Sequence, residues 1–317
     1  MVQRILERGQ IETLASHSIP RVRVPDRAQV FARRAQRLRA LAASSPIADY
    51  LRFCAIVADA QHAALAGFPA ALPDAAQLAF AHEHHMPPIA ATAWPREPQW
   101  RDALSSICAA VATQPGIPAE AVRIVERIAA AGAAIEAQAD ALLGRRDLAV
   151  DTAAATFVMA ALQVNWAALS SRFDADEVEP LDVPGVCPLC GSLPVASIVA
   201  TRAPYQGHRY LHCGLCACEW HMVRVQCSQC GADGKDIVYH SLLGAGDGDE
   251  AAGDAPVRAE SCAKCGTYRK VLYHEKDPQL EAVADDLASV ALDVLLAGEG
   301  YARASGNPLL WTATEQG

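Results

Sequence analysis

The chain has no uncharged apolar run of about 18 residues hydropathic enough to span a bilayer, and its alanine-rich stretches are too weakly hydrophobic to serve. Between Met1 and Glu12 charges are scattered where a secretory signal would need an unbroken apolar core, so neither membrane insertion nor export is expected. The sequence reads as cytoplasmic. Surplus positive charge is missing as well. Lys and Arg number 27 against 36 Asp and Glu, a net charge of −9 that suits nucleic acid poorly. Within residues 181–276, the region of greatest interest below, nine basic residues face ten acidic ones, so no basic stripe marks a nucleic-acid binder. Nor is there a Ser-His-Asp order, a phosphate-cradling glycine loop or a paired-acid site, and no enzyme is expected. With 52% hydrophobic and 20% charged residues over 317 positions, the composition is that of a soluble globular protein of two or more domains.

What the chain does have is cysteine, in a pattern. Nine of its eleven cysteines lie between Cys187 and Cys265. Eight of these form four Cys-x-x-Cys pairs: Cys187/Cys190, Cys213/Cys216, Cys227/Cys230 and Cys262/Cys265. Two thiolates separated by two residues can grip one ion from a single tight turn, and a glycine after the pair relieves the strain of that curl. Gly191, Gly231 and Gly266 stand in that place; the second pair has Ala217 there and Gly214 inside the turn. Two such knuckles supply the four sulfurs that zinc or a rubredoxin-type iron takes in tetrahedral geometry. Paired in chain order they enclose 22 and 31 residues, somewhat longer than a usual zinc ribbon, and sequential pairing is expected. Structural disulfides need an oxidising compartment, a thioredoxin-like pair needs a βαβ context, and ferredoxin clusters use denser cysteine runs. Cys218 is left over, and strand alternation turns it from the metal into a small core.

Residues 1–175 read as an all-helical domain. Helices are expected over 25–43, 47–66, 97–113, 118–144 and 151–173, with an irregular connection where Pro69, Pro73, Pro87, Pro88, Pro95 and Pro98 interrupt the chain. In the first helix Val30, Arg34, Leu38 and Leu41 recur at helical spacing. Arg27, Arg33, Arg34, Arg37 and Arg39 crowd it, either a solvated face or a surface for an acidic partner. His82, Glu83, His84 and His85 offer metal donors, but on a connection that promises no fixed geometry. Cys54 and Cys108 fall on apolar helix faces as small core residues.

An acidic linker, 176–186, leads into the cysteine region, which reads as two small β modules, 187–226 and 227–276. Strands are expected over 195–201, 208–212, 219–226, 237–242, 257–260 and 268–274, with a glycine- and aspartate-rich loop over 244–256. Modules this small bury little core, so metal should supply folding free energy on the order of 10 kcal/mol. From Asp277 as cap and Pro278 as first position, one C-terminal helix is expected to Gly298. A loose tail from Asn307 to Gly317 follows, with Trp311 as an anchor, and 277–317 forms the last segment. The fold class is thus α+β and multidomain.

These motifs together resemble the formate dehydrogenase accessory protein FdhE family. The resemblance rests on the four knuckles in this order, on Tyr210-Leu-His-Cys213, Cys218-Glu-Trp-His221 and Val223-Arg-Val225, and on Glu260-Ser-Cys262-Ala-Lys-Cys265-Gly-Thr-Tyr268. It continues through Tyr273-His-Glu-Lys-Asp-Pro278, Ala282-Val-Ala-Asp-Asp-Leu-Ala288, Glu299-Gly-Tyr-Ala302 and Asn307-Pro308. In the helical half it is carried by Met86-Pro87-Pro88, before which the family pattern implies glycine where His85 stands, and by the Arg-rich helix. The resemblance implies a cytoplasmic, non-enzymatic factor. Such a factor binds the catalytic subunit of a respiratory formate dehydrogenase, exported folded through the twin-arginine pathway, and serves its maturation. It further implies rubredoxin-type iron, up to two per chain, on Cys187, Cys190, Cys213, Cys216, Cys227, Cys230, Cys262 and Cys265, with zinc as the alternative occupant. Two other classes stay open: a rubredoxin-like electron-transfer or redox-sensing protein, and a zinc-ribbon nucleic-acid binder.

Overall fold

The computed structural model describes residues 20–144, 150–200, 207–242 and 254–311; the Met1–Glu12 stretch and nearly all of the 244–256 loop lie outside them. Seven helices come first: α1 Val30–Ala42, α2 Ala48–Ala66, α3 Ala75–Glu83, α4 Trp100–Ala112, α5 Ala119–Ala130, α6 Ala134–Gly144 and α7 Thr152–Ser170. The last is the axle of the bundle. Its N-terminus is capped by the Asp151 carboxylate, which accepts from the Ala153 and Ala154 amides, and every residue from Ala154 to Ser170 is buried. An all-round apolar helix is stable only inside something, and α2, α4 and α6 pack around it. Against the expectation that no run is long and apolar enough to span a bilayer, α7 meets that test by length and composition, and 89% of its apolar window is buried within the protein.

Two expectations here need correction. The single helix over 118–144 is two, because Gly132 takes a left-handed φ of +53° that no helix interior accommodates. The proline-rich connection contains α3, started by a capping box in which Asp74 accepts from the Gln77 amide and Gln77 reaches back to the Asp74 amide.

The strands are β1 Val22–Arg23, β2 Pro194–Val199, β3 Arg209–Cys213, β4 Glu219–Met222, β5 Ile237–His240, β6 Val257–Cys262, β7 Thr267–Tyr273 and β8 Ala302–Arg303. They form one sheet in the order β1-β4-β3-β2-β7-β6-β5, with β8 added beside β7. The segments expected as two separate modules are therefore continuous. Their junction is a parallel pairing of β2 with β7, Ser197 opposite Val271 and Val199 opposite Tyr273. Arg209 and Glu260, from the two sides of that junction, form a buried ion pair of 3.0 Å.

The C-terminal helix is also two, α8 Ala282–Ala288 and α9 Val290–Gly298. It breaks at Ser289, whose ψ of +32° leaves the helical range; the Asp286 carbonyl, which a continuous helix would offer to the Val290 amide, accepts instead from Lys270 and the Ser289 hydroxyl. Glu281, not Asp277, is the cap, accepting from the Val283 and Ala284 amides; Asp277 pairs with Arg37 instead. Val283 and Leu287 of α8 pack with Leu38 of α1, Leu51 of α2 and Ile198 of β2 in one core, whereas Val294 and Leu295 of α9 are exposed. The segment after Asn307 is tied down as far as Trp311: Asn307 is buried and donates to Val283 and Asp286.

Candidate metal centres

The four knuckles meet in chain order. Cys187 and Cys190 form the turn before β2, and Cys213 and Cys216 the turn between β3 and β4; their four Sγ atoms lie within 4.8 Å of one another. Cys227, Cys230, Cys262 and Cys265 form a second such group from the chain after β4 and the β6–β7 turn. In three knuckles the amide four residues on closes the turn onto the first cysteine: Gly191 onto Cys187 at 2.8 Å, Gly231 onto Cys227 and Gly266 onto Cys262, both at 2.9 Å. All three glycines have φ between +67° and +73°. Ala217 takes the same left-handed conformation at +59°, so the knuckle without glycine keeps the geometry and bears the strain.

Around a tetrahedral ion with metal–sulfur bonds of about 2.3 Å, sulfurs stand about 3.8 Å apart. The second group matches, with Cys227–Cys265 at 3.8 Å and Cys230–Cys262 at 3.7 Å. In the first, Cys187–Cys216 is 3.5 Å and Cys190–Cys213 is 3.4 Å, a slightly tighter cage. Amides aim at the sulfurs as thiolates require, from Leu215 and Cys216 to Cys213 and from Gln229 to Cys227. Burial pushes the Cys187, Cys213 and Cys216 thiols well above their ordinary range; against the same burial, hydrogen bonds from Cys187, Cys213, Cys216 and Ser192 hold Cys190 well below it. Four thiolates held this close together require a cation. The donor set and spacing fit one tetrahedral ion in each group.

The two sites differ in setting. All four sulfurs of the first belong to buried residues, and the helical bundle holds both of its knuckles. Ile89 and Ala91 donate to the Leu189 and Cys190 carbonyls, Gln163 to Gly214 and Ser170 to Cys216. Gly191 sits so close to Pro87 that an added Cβ would lie 3.2 Å from its ring. The second site lies toward the β5–β6 end of the sheet, with Cys230 exposed and Cys265 half-buried. Arg269 secures its first turn, donating to the Ser228 hydroxyl, and Arg209 donates to the Gln226 carbonyl. Burial raises the Cys265 thiol, but the Thr267 hydroxyl and amide, with Cys230 and Cys227, together draw it down to about 7.

Cys218 is buried in the core, but not through strand alternation: it precedes β4, its thiol donates to the Glu219 carbonyl at 3.8 Å, and it lies beside Cys187 and Cys216 rather than turned from the first cage. Cys54 and Cys108 are core residues, burial pushing both thiols up to about 12. His82 to His85 do not assemble: His82 pairs with Glu179, His84 packs on the Phe80 ring, and the metal-capable groups among the described residues include none of them. The arginine-rich helix is not a solvated face. Arg34 is buried against Glu281 and Gln163, Arg37 chelates Asp285 and Asp277, and Arg27 donates to Leu65 and Phe68 carbonyls, leaving Arg33 and the Arg39–Asp59 pair exposed. The chain Arg34, Gln163, Gly214 leads from α1 through α7 to the second knuckle, a connection whose only trace in the sequence is an arginine in an apolar stripe.

Residues 19–182 match the FdhE N-terminal family model, 186–224 the FdhE central domain and 225–310 the FdhE C-terminal domain. The chain belongs to the FdhE family. The FdhE homolog of Klebsiella pneumoniae and the FdhE of Salmonella choleraesuis are each 40% identical to it over 307 residues, 96% of either chain. The crystal structure of the FdhE protein from Pseudomonas aeruginosa superposes with a TM-score of 0.79 at 38% identity, covering 92% of this chain and 99% of that one. In FdhE terms, the first cysteine cage is the central domain's and the second the C-terminal domain's. The sheet crosses both boundaries, since β1 of the N-terminal part pairs with β4, and β2 with β7.

Proposed function

We propose that this FdhE-family chain is a cytoplasmic, non-enzymatic accessory factor. In this reading it binds the catalytic subunit of a respiratory, twin-arginine-exported formate dehydrogenase and supports that enzyme's assembly or activity. The likeness to FdhE proteins along 96% of the chain, both cysteine cages included, carries this reading. Cys187, Cys190, Cys213 and Cys216 are assigned as ligands of one ion, and Cys227, Cys230, Cys262 and Cys265 as ligands of another. Rubredoxin-type iron is the proposed occupant, with zinc as the alternative. A bound iron would supply a ferrous/ferric couple, whereas zinc would serve only as a staple. A redox-sensing or electron-transfer role is favoured by one feature, the exposure of Cys230 at the second cage.

The deciding experiment pairs two measurements. Protein purified without chelators or oxygen is assayed for metal and for visible absorption on exposure to air. About two irons per chain with thiolate-to-iron bands support rubredoxin-type centres, and two colourless zincs reduce the cages to structure. Tagged protein is then drawn from cells making the formate dehydrogenase; failure to recover its catalytic subunit would sink the accessory role.

A further inference from the structure

Helix α3 is anomalous on energetic grounds. It is nine residues long and apolar in composition, yet Ala81 is its one buried residue. A helix shorter than about 12 residues is marginal in water unless tertiary contacts cover a face of it. Here Phe80 is 56% exposed and Leu78 37%, and Met86, just beyond the helix, is 46% exposed. Phe80 packs on His84, whereas Leu78, two positions earlier and so on another face of the helix, shares a groove with Met86; exposed large apolar side chains beside a concavity mark an interaction site.

Beside them runs a groove of about 300 Å³. Leu78, His85 and Met86 form one wall, Glu177 to Leu181 the other, and Pro188 of the first cysteine turn also lines it. Among the described residues its lining carries Glu177 and Glu179 and no Lys or Arg, and Asp174, Asp176 and Asp182 adjoin that wall in the chain. The ion pair formed across it joins His82 to Glu179.

We propose that this groove docks a segment of the partner polypeptide that presents apolar side chains next to arginine or lysine. The apolar part of such a segment covers Leu78 and Met86, and its cations meet Glu177, Glu179 and their acidic neighbours. This deepens the reading of the chain as a partner-binding factor and rests on it.

The test uses the full metal-loaded chain and a labelled synthetic peptide with a leucine-rich stretch beginning in paired arginines, read by fluorescence anisotropy. Wild type should bind it at least about tenfold more tightly than a counterpart with glutamates for the arginines, and the difference should shrink as salt rises. Leu78→Asp with Met86→Asp should lose that binding with metal content and circular dichroism unchanged, since both side chains are exposed. Glu177→Lys with Glu179→Lys should invert the preference between the peptides. Equal binding of both peptides, no binding of either, or undiminished binding by the Leu78→Asp double variant would overturn the proposal. Sedimentation that shows a wild-type dimer dissociated by the Leu78→Asp double variant would overturn it too, by naming a second copy as occupant. Capture of the formate dehydrogenase subunit is scored separately. If wild type and the Leu78→Asp double variant capture it equally, the groove fails and the accessory role stands. If wild type captures none but binds the arginine peptide through Leu78 and Met86, the groove stands and that role fails.

Discussion

His85 holds a left-handed backbone, φ +49°, without being glycine. The conformation costs a residue with a Cβ about 1 kcal/mol, and His85→Gly should raise stability to urea by about that amount. A lower midpoint would mean that the His85 side chain makes contacts outweighing the strain. The expectation of glycine before Met86-Pro87-Pro88 thus has a conformational basis that no spacing pattern displays. Arg34 is the opposite case, since its cause was legible. An arginine at an apolar position of a helical stripe must be buried with a partner, but sequence alone does not name a partner 247 residues away, Glu281. Removing one member of a buried pair leaves the other charge uncompensated, so Arg34→Met should cost about 3–5 kcal/mol in urea unfolding. Arg34→Met with Glu281→Gln should recover part of that, and a single-variant loss below about 1 kcal/mol would refute the assignment.

The two cysteine cages share a ligand set and differ in what surrounds the turns that carry it. The first is hydrogen-bonded into α7 and the Ile89–Ala91 segment; the second has an exposed sulfur at Cys230. Opening the second cage requires movement of a β turn, whereas opening the first disturbs the bundle core. Chelator at neutral pH should therefore strip one ion per chain well before the other. Alkylation followed by peptide mass spectrometry should label Cys230 and Cys265 early, and Cys187 and Cys190 last. Uniform labelling of all eight would contradict this. Gly191→Ala, strained in φ and pressed on Pro87, should weaken the first site selectively. Elements carried by local signals were legible: the knuckles, the strands between them and most helices. Their ends were less so, because Gly132 and Ser289 break apolar periodicities that continue unchanged across the breaks.

One sheet and a core that includes both the bundle and the first cage should make the described chain unfold as one unit, although family models divide it in three. Calorimetry of the metal-loaded protein should show one transition whose van't Hoff and calorimetric enthalpies agree. Two resolved transitions would mean that the helical and cysteine-bearing parts unfold separately. None of this unity was readable from the sequence, because a parallel pairing between β2 and β7 leaves no mark in either strand. That pairing also fixes an order of events on the ribosome. Roughly 70 residues separate Ser197 from Val271, so at about 5–20 residues per second β7 follows β2 by about 4–15 s. For that interval β2 is partnered by β3 on one side and bare on the other, an open template for any passing strand. A nascent chain released anywhere before Thr267 would carry that open edge permanently.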